Sequence, residues 1–194
     1  MKTQDENLLP TAEVIKTELK RERNKIRYRR LLRNTINTII VVAAVAVLIA
    51  TLVLPVLQIS GTSMLPTLEN GEIVVLVKTT KMDYGDLCAF SYSNKILIKR
   101  VIGLSGDVLY IDEEGTVFVN GYELEEPYLT EKSFGECDIE FPYTVPEGSY
   151  FLMGDQRTTS IDSRNAVIGP VSTEQIIGKL LLRIWPLNAF DLLI

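Results

Sequence analysis

Histidine is absent from this sequence of 194 residues. Without an imidazole, the chain can form neither a Ser-His-Asp or Cys-His hydrolase site nor a histidine-ligated zinc site, and the HExxH helix of metalloproteases is excluded as well. An enzyme built from this sequence must therefore use a base other than histidine.

Cysteine is scarce, since Cys88 and Cys137 are the only two. They stand 49 residues apart, so the chain has neither a CxxC redox motif nor the ligands of a four-thiolate metal site. Two reduced thiols are expected, with a disulfide as the alternative, because spacing alone cannot establish a bridge.

Charge is divided unevenly along the chain. The formal net charge is −5, but residues 1–33 carry ten Lys or Arg and five Asp or Glu, whereas residues 34–194 carry ten and twenty. An acidic surface repels phosphates, so the larger part is not expected to bind nucleic acid.

A long uncharged segment lies between Arg33 and Glu69, and from Ile39 to Leu57 its only polar side chain is Thr51. Nineteen helical residues span about 28 Å, close to the roughly 30 Å hydrocarbon core of a bilayer. We therefore predict a single transmembrane anchor helix within residues 34–59. The alternatives are a cleaved signal peptide, whose apolar part is usually shorter, and a buried helix, which would normally keep a polar stripe.

The residues before this segment set its expected orientation. Residues 16–33 contain nine Lys or Arg against Glu18 and Glu22. By the positive-inside rule, residues 1–33 stay in the cytoplasm and residues 60–194 lie on the outer side of the cell membrane. We expect the basic segment to contact anionic lipid headgroups, with nucleic acid as the alternative ligand, and residues 1–15 to be flexible.

The external part predicts a mainly β fold. Short segments rich in β-branched, leucine or aromatic residues alternate with turn residues, at 73–78, 86–92, 96–104, 108–111 and 116–120. Residues 173–182 are consistent with either a helix or a strand. The acidic, proline-containing segment 123–147 is predicted to be an irregular excursion from the sheet.

The first candidate functional segment follows the anchor and runs Gln58-Ile-Ser-Gly-Thr-Ser-Met-Leu-Pro-Thr-Leu68. A serine in such a turn can present its hydroxyl as a nucleophile, and nearby backbone N–H groups can bind an oxyanion. Ordinary connecting loops have the same composition, so this segment alone does not indicate catalysis.

The second candidate is Lys99, on the predicted strand 96–102. Strand alternation places it on one face with Leu97 and Val101, and desolvation among apolar neighbours lowers the pKa of a lysine toward neutrality. The alternative is an edge-strand lysine that prevents aggregation. In a chain without histidine, a neutral lysine is the best partner for an activated serine.

The third candidate segment, residues 153–164, places two aspartates and two arginines among hydroxyl side chains. Charge-assisted hydrogen bonds between them could hold a hydroxyl against the base, or the segment could be a polar surface loop. The arginines argue against a calcium site.

Taken together and in this order, four motifs after a single anchor closely resemble bacterial type I signal peptidase. They are Ser63-Met-Leu-Pro-Thr-Leu68, Tyr84-Gly-Asp-Leu87, Ile98-Lys-Arg-Val-Ile-Gly-Leu-Ser-Gly-Asp107, and Met153-Gly-Asp-Gln-Arg with Ser160-Ile-Asp-Ser-Arg164. The resemblance extends to Gly178-Lys and Arg183-Ile-Trp-Pro186. It implies a β-rich catalytic domain of partly open, barrel-like sheets that needs neither a metal nor an organic cofactor.

The resemblance assigns Ser63 as the nucleophile and Lys99 as the general base. It implies that the Ser63 backbone N–H is one oxyanion donor. Some members of the family add a serine hydroxyl two residues before the nucleophile, where this chain has Gly61. The backbone N–H of Gly61 is one candidate for the missing donor.

The resemblance also implies a supporting set in the third segment. Ser160 matches the serine that orients the lysine, Asp162 and Arg164 match a supporting ion pair, and Asp155 and Arg157 match structural positions. The chain departs from the usual motif at Gln156, Thr158 and Thr159.

The implied substrates are exported preproteins with small residues at positions −3 and −1 from the cleavage site. An extended peptide would pair with the strand edge near Lys99. The positions that match pocket-lining residues are apolar: Ile59, Met64, Leu68, Leu97 and Ile98. The alternative functions are a self-cleaving Ser-Lys repressor, which would need a DNA-binding module in place of the anchor, and a non-catalytic membrane-anchored scaffold.

Overall fold

The structure of the protein, a computed structural model, describes residues 12–193 without the side chains of residues 49–53. Of residues 1–15, which were predicted to be flexible, residues 1–11 lie outside this described part, and residues 12–15 are helical instead. The chain divides into two compact units, Met1–Ala50 and Thr51–Ile194.

The first unit contains most of one helix, α1, which runs from Ala12 to Val53. Its described side chains are all exposed, and it is long and apolar enough to cross a membrane. The helix starts earlier than the predicted anchor and ends before residue 59. Pro55 explains the end, because proline lacks a backbone N–H and disfavours the helical conformation of the residue before it.

Twelve strands follow in the described part of the chain, and every pairing among them is antiparallel. Their bounds are β1 Val56–Gln58, β2 Ile73–Val77, β3 Leu87–Tyr92, β4 Lys95–Gly103, β5 Val108–Ile111, β6 Val117–Val119, β7 Tyr122–Glu123, β8 Tyr143–Thr144, β9 Ser149–Met153, β10 Val171–Ser172, β11 Ile176–Trp185 and β12 Asp191–Leu192. Short 3-10 helices occupy Thr173–Gln175 and Leu187–Ala189.

The strands form two sheets. The larger sheet has eight strands in the order β1-β2-β11-β3-β4-β9-β10, with β12 paired to β11, and the smaller one has the order β7-β6-β5-β8. The predicted fold class, mainly β with a single N-terminal helix, is confirmed. Six strands were not predicted. Strand β1 lies in the segment assigned to the anchor, β7 overlaps the start of the excursion 123–147, β8 lies inside it and pairs with β5, and no strand was predicted where β9, β10 and β12 lie.

The ambiguous segment 173–182 is a single turn of 3-10 helix followed by β11. Strand β11 is central, because it pairs with β2 on one side and β3 on the other. Close packing there depends on Gly178, where an added Cβ would lie 2.3 Å from the carbonyl oxygen of Val77. Tertiary pairing therefore decides the conformation of a sequence that is locally ambiguous.

Three apolar clusters support the sheets. One lies beneath the turn that carries Ser63 and contains Met64 and Leu68, and a second contains Val101 of β4 with Leu97 packed against it. The third joins Ile102 of β4 to the smaller sheet and receives apolar side chains of the excursion 123–147, namely Leu124, Phe134, Ile139 and Phe141. This third cluster attaches the excursion to the strand that carries Lys99.

Candidate active site

The turn that carries Ser63 is fixed at both ends. Ile59 N–H donates to the Glu72 carbonyl over 2.8 Å, and Leu68 N–H donates to the Met64 carbonyl over 2.9 Å. Met64 and Leu68 are buried in the apolar cluster below, at 4% and 0% exposure. The turn therefore holds Ser63 at a half-buried position, next to the anchored side chain of Met64.

Lys99 lies in the middle of β4, opposite Cys88 of β3. Its side chain is buried, and its Nζ donates a hydrogen bond to Ser63 Oγ over 2.7 Å. The structure thus brings together two residues that stand 36 positions apart in the sequence and that the motifs singled out.

Burial lowers the pKa of Lys99 from 10.5 to about 8. The Asp162 and Asp155 carboxylates act in the opposite direction, and the Arg164 guanidinium adds to the lowering. Desolvation prevails because removing an ammonium ion from water costs more than the carboxylates return. The amine therefore titrates just above neutrality and can accept a proton from Ser63.

An ion pair between Asp162 and Arg164 lies within the third segment, and both side chains are almost fully buried. Arg164 donates from Nε and Nη2 to the two carboxylate oxygens over 2.9 and 2.8 Å, and Gly154 N–H donates to Asp162 Oδ2 over 3.0 Å. Burial alone would raise the pKa of Asp162, but the bonds and charge of Arg164 hold it below its usual value. Asp162 therefore stays ionised near Lys99.

Ser160 is buried near the Asp162 carboxylate and next to Gly154. Its Oγ is the single buried side-chain polar atom without a hydrogen-bond partner in the described part of the chain. The hydroxyl is near enough to the Asp162 carboxylate to help lower that pKa, although it makes no hydrogen bond to Lys99 in this structure. The lysine-orienting role of Ser160 stays a prediction.

Gly154, which we did not select as a site residue, makes this close packing feasible. A Cβ at this position would lie 2.1 Å from Ser160 Oγ and 2.6 Å from the Ser63 carbonyl oxygen. Two residues later, Gln156 N–H donates to the same Ser63 carbonyl over 3.1 Å. The third segment therefore contacts the backbone of Ser63 directly.

Asp155 ties the third segment to both other segments. It accepts from Arg100 Nε and Nη2 over 2.8 and 2.6 Å, and from Thr67 Oγ1 over 2.5 Å. Arg100 follows Lys99 on β4, and Thr67 belongs to the turn that carries Ser63. Neither was selected from the sequence, because their shared partner becomes visible only when the three segments meet.

The suggested oxyanion role of Gly61 does not fit the structure. Its φ angle is +103°, and its N–H donates to Asn70 Oδ1 over 3.0 Å. That hydrogen bond occupies the donor that a substrate oxyanion would need. Of the two suggested backbone donors, the N–H of Ser63 remains the candidate.

A pocket of about 120 Å³ lies beside Ser63 and Lys99. Four of the five predicted pocket residues line it: Ile59, Met64, Leu97 and Ile98. Leu68 does not line it, because it is fully buried in the cluster beneath the turn. On one edge, β4 pairs with β3 along Ile96–Lys99. On the opposite edge, β9 pairs with β4 only from Arg100 onward, so Ile96–Lys99 have no strand partner on that edge within the described sheet.

The two cysteines differ in position, since Cys88 lies opposite Lys99 in the β3–β4 pairing and Cys137 lies in the excursion 123–147. Both are free thiols, as expected, and burial raises the pKa of Cys88 to about 12. Among the described residues, no cluster of three or more Cys, Asp or Glu side chains is arranged to hold a metal ion.

Comparisons with known proteins find similarity to signal peptidases. The family model described as signal peptidase, peptidase S26, matches residues 32–185. The chain is 33% identical over 166 residues to signal peptidase I of Bacillus licheniformis, covering 79% of this chain and 88% of that protein. It is 33% identical over 162 residues to signal peptidase I S of Bacillus subtilis, covering 77% and 87%.

Among solved structures, a signal peptidase I from Enterococcus faecalis is 30% identical to the chain. The match covers 52% of this chain and 97% of that one, with a TM-score of 0.45.

Substitution Gly154→Ala is expected to destabilise the protein by about 1–3 kcal/mol, because the new methyl group would collide with Ser160 and with the Ser63 backbone. Chemical denaturation of the full chain in detergent measures the effect. Gly71→Ala, where the added Cβ meets no atom within 4 Å but φ is +92°, is the control for backbone strain alone. A Gly154→Ala protein as stable as the wild type would contradict the described packing.

Proposed function

Since the chain belongs to the signal peptidase family, peptidase S26, we propose that it removes signal peptides from exported preproteins with Ser63 as nucleophile and Lys99 as general base. The observation that carries this proposal is the hydrogen bond of 2.7 Å between Lys99 Nζ and Ser63 Oγ. The lysine is buried, its pKa is lowered to about 8, and the chain offers no histidine as an alternative base.

In the first half of the reaction, neutral Lys99 accepts the Ser63 hydroxyl proton while Oγ attacks the scissile carbonyl carbon. The carbonyl oxygen becomes an oxyanion, which the Ser63 N–H stabilises. Collapse of this intermediate breaks the C–N bond, and Lys99 returns the proton to the departing amine of the mature protein. The signal peptide remains attached to Ser63 as an ester.

In the second half, the lysine, neutral again, accepts a proton from water, and the resulting hydroxide attacks the ester. Collapse of the second oxyanion releases the signal peptide as a carboxylic acid. The proton on Lys99 returns to Ser63 Oγ, which restores the starting state. Every proton is transferred between Ser63, Lys99, water and substrate, so the cycle balances without a metal or cofactor.

The pocket supports a preference for small side chains at positions −1 and −3. Its volume of about 120 Å³ is small, and it is walled by Ile59, Met64, Leu97 and Ile98. The unpaired edge of β4 at Ile96–Lys99 offers backbone groups to an extended peptide. Such pairing would place the scissile bond of the substrate beside Ser63.

Helix α1 is proposed to anchor the protein in the cell membrane. Its uncharged part follows nine Lys or Arg in residues 16–33, which favour a cytoplasmic N-terminus and contact with anionic headgroups. Residues 60–194 would then lie outside, where exported preproteins emerge. The anchor would hold the enzyme at the same membrane as its substrates.

Removal of the side-chain functional group of either Ser63 or Lys99 tests the proposal. Ser63→Ala and Lys99→Ala are each expected to reduce cleavage of a model preprotein by at least about 10⁴-fold, because nucleophile and base act as one unit. The assay uses the full chain in detergent and follows the product by gel. Lys95→Ala, which removes an exposed lysine from the same strand, is the matched control and should retain activity. Substantial cleavage by either dyad variant would rule out the dyad.

The pH dependence follows from the base. Because the reactive form of Lys99 is unprotonated and its pKa is about 8, kcat/KM should rise with pH and level off above about 8. Below that midpoint it should fall about tenfold per pH unit. A profile that is flat between pH 6 and pH 9, measured with a peptide substrate that has no titratable side chain, would be incompatible with Lys99 as the base.

A further inference from the structure

The irregular excursion, residues 123–147, reaches the supporting arginines of the active site. Glu126 pairs with Arg157, and the carbonyl of Phe134 accepts from Arg164 Nη1 over 2.7 Å. The sequence offered no role for this segment, and the contacts with two arginines of the third segment raise the question of what they do for the reaction.

The Glu126–Arg157 ion pair is bidentate and fully shielded from solvent. Arg157 Nη1 donates to Glu126 Oε2 over 3.0 Å, and Nη2 donates to the other carboxylate oxygen. Both side chains are 0% exposed. Two charges held in this way are strongly interdependent, because loss of one leaves the other buried without a counter-ion.

Arg157 links this ion pair to the backbone beside the proposed nucleophile, Ser63. Its Nε donates to the Gly154 carbonyl over 3.1 Å. The Gly154 Cα lies so close to Ser160 and to the Ser63 carbonyl that no side chain fits there. The position of this peptide group therefore sets the space between the nucleophile backbone and Ser160.

Tyr128 extends the same segment to the strand of the base. Its OH donates to Glu126 Oε1 over 2.7 Å, and the guanidinium carbon of Arg100 lies 3.8 Å from the centre of its ring. Arg100 directly follows Lys99 on β4 and is held by Asp155. Glu126 thus contacts Arg157 of the third segment, and Tyr128 contacts Arg100, the residue after Lys99.

We propose that Glu126 is a positioning residue for the Ser63–Lys99 pair and acts through Arg157 and the Gly154 carbonyl. Glu126 does not line the substrate pocket and does not contact either catalytic side chain. Its effect is to keep the third segment closed over Lys99 and so to keep water away from the amine. This inference rests on the proposed function.

Loss of the Glu126–Arg157 pair should raise the pKa of Lys99. The charges that act on Lys99 belong to Asp162, Arg164 and Asp155, so Glu126 and Arg157 influence it through packing and not through direct charge. When the third segment loosens, water reaches the amine and its pKa rises from about 8 toward the ordinary 10.5. A rise of one unit lowers activity about tenfold at pH 7.

The test is the pH profile of kcat/KM for Glu126→Gln, measured with the full chain in detergent on a model preprotein. We expect activity at pH 7 to fall roughly 10- to 100-fold and the midpoint of the profile to move upward by one unit or more. Glu125→Gln makes the same charge change at the exposed neighbouring position and should match the wild type. A loss of folded protein would scale the profile down without moving its midpoint.

A double variant, Glu126→Met with Arg157→Met, covers the case in which Glu126→Gln does not fold, because replacing both members of a buried ion pair is often tolerated. It removes the donor to Gly154, so its midpoint should also be raised. The proposal is overturned if either folded variant keeps the wild-type midpoint, or if neither variant folds, which would make the pair purely structural. Wild type and Ser63→Ala are run alongside, so that failure of the proposed function shows as Ser63-independent cleavage.

Discussion

Burial of one amine beside one hydroxyl is the constraint on which the rest of the site depends. Lys99 is 4% exposed, and the fall in its pKa from 10.5 to about 8 corresponds to about 3 kcal/mol of disfavour for the charged form. The large sheet places Lys99 on a central strand, and the apolar cluster beneath the turn places Ser63 within 2.7 Å of it. In the proposed mechanism, a chain without histidine obtains its base in this way.

The surrounding charges must not cancel the effect of burial on the pKa of Lys99. Asp162 and Asp155 would stabilise a protonated lysine, but each is paired with its own arginine, Arg164 and Arg100. These pairs satisfy the carboxylates and leave desolvation as the dominant influence on the base. The same arginines connect the third segment to β4 and to the excursion, so one set of buried ion pairs serves both electrostatics and packing. The exposed pairs of α1 have no such role, since exposed ion pairs contribute little.

The sequence predicted the elements that local pattern determines. Strand β5 has the bounds predicted from its apolar residues and the turn residues around it, and Ser63 and Lys99 were recognised because their motifs are local. Gly154, Arg100 and Thr67 were missed because their importance lies in contacts between segments distant in sequence. The predicted availability of the Gly61 N–H failed for a similar reason, since its acceptor Asn70 belongs to the following turn.

The central claim is that burial lowers the pKa of Lys99 far enough to leave a usable unprotonated fraction near physiological pH, and direct titration of its amine tests this most directly. Heteronuclear NMR of the full chain in detergent, with isotope-labelled lysine and assignment by comparison with Lys99→Ala, follows the side-chain shift with pH. The account predicts a midpoint near 8 for this one lysine. A midpoint near 10.5, the ordinary value for lysine, would contradict it.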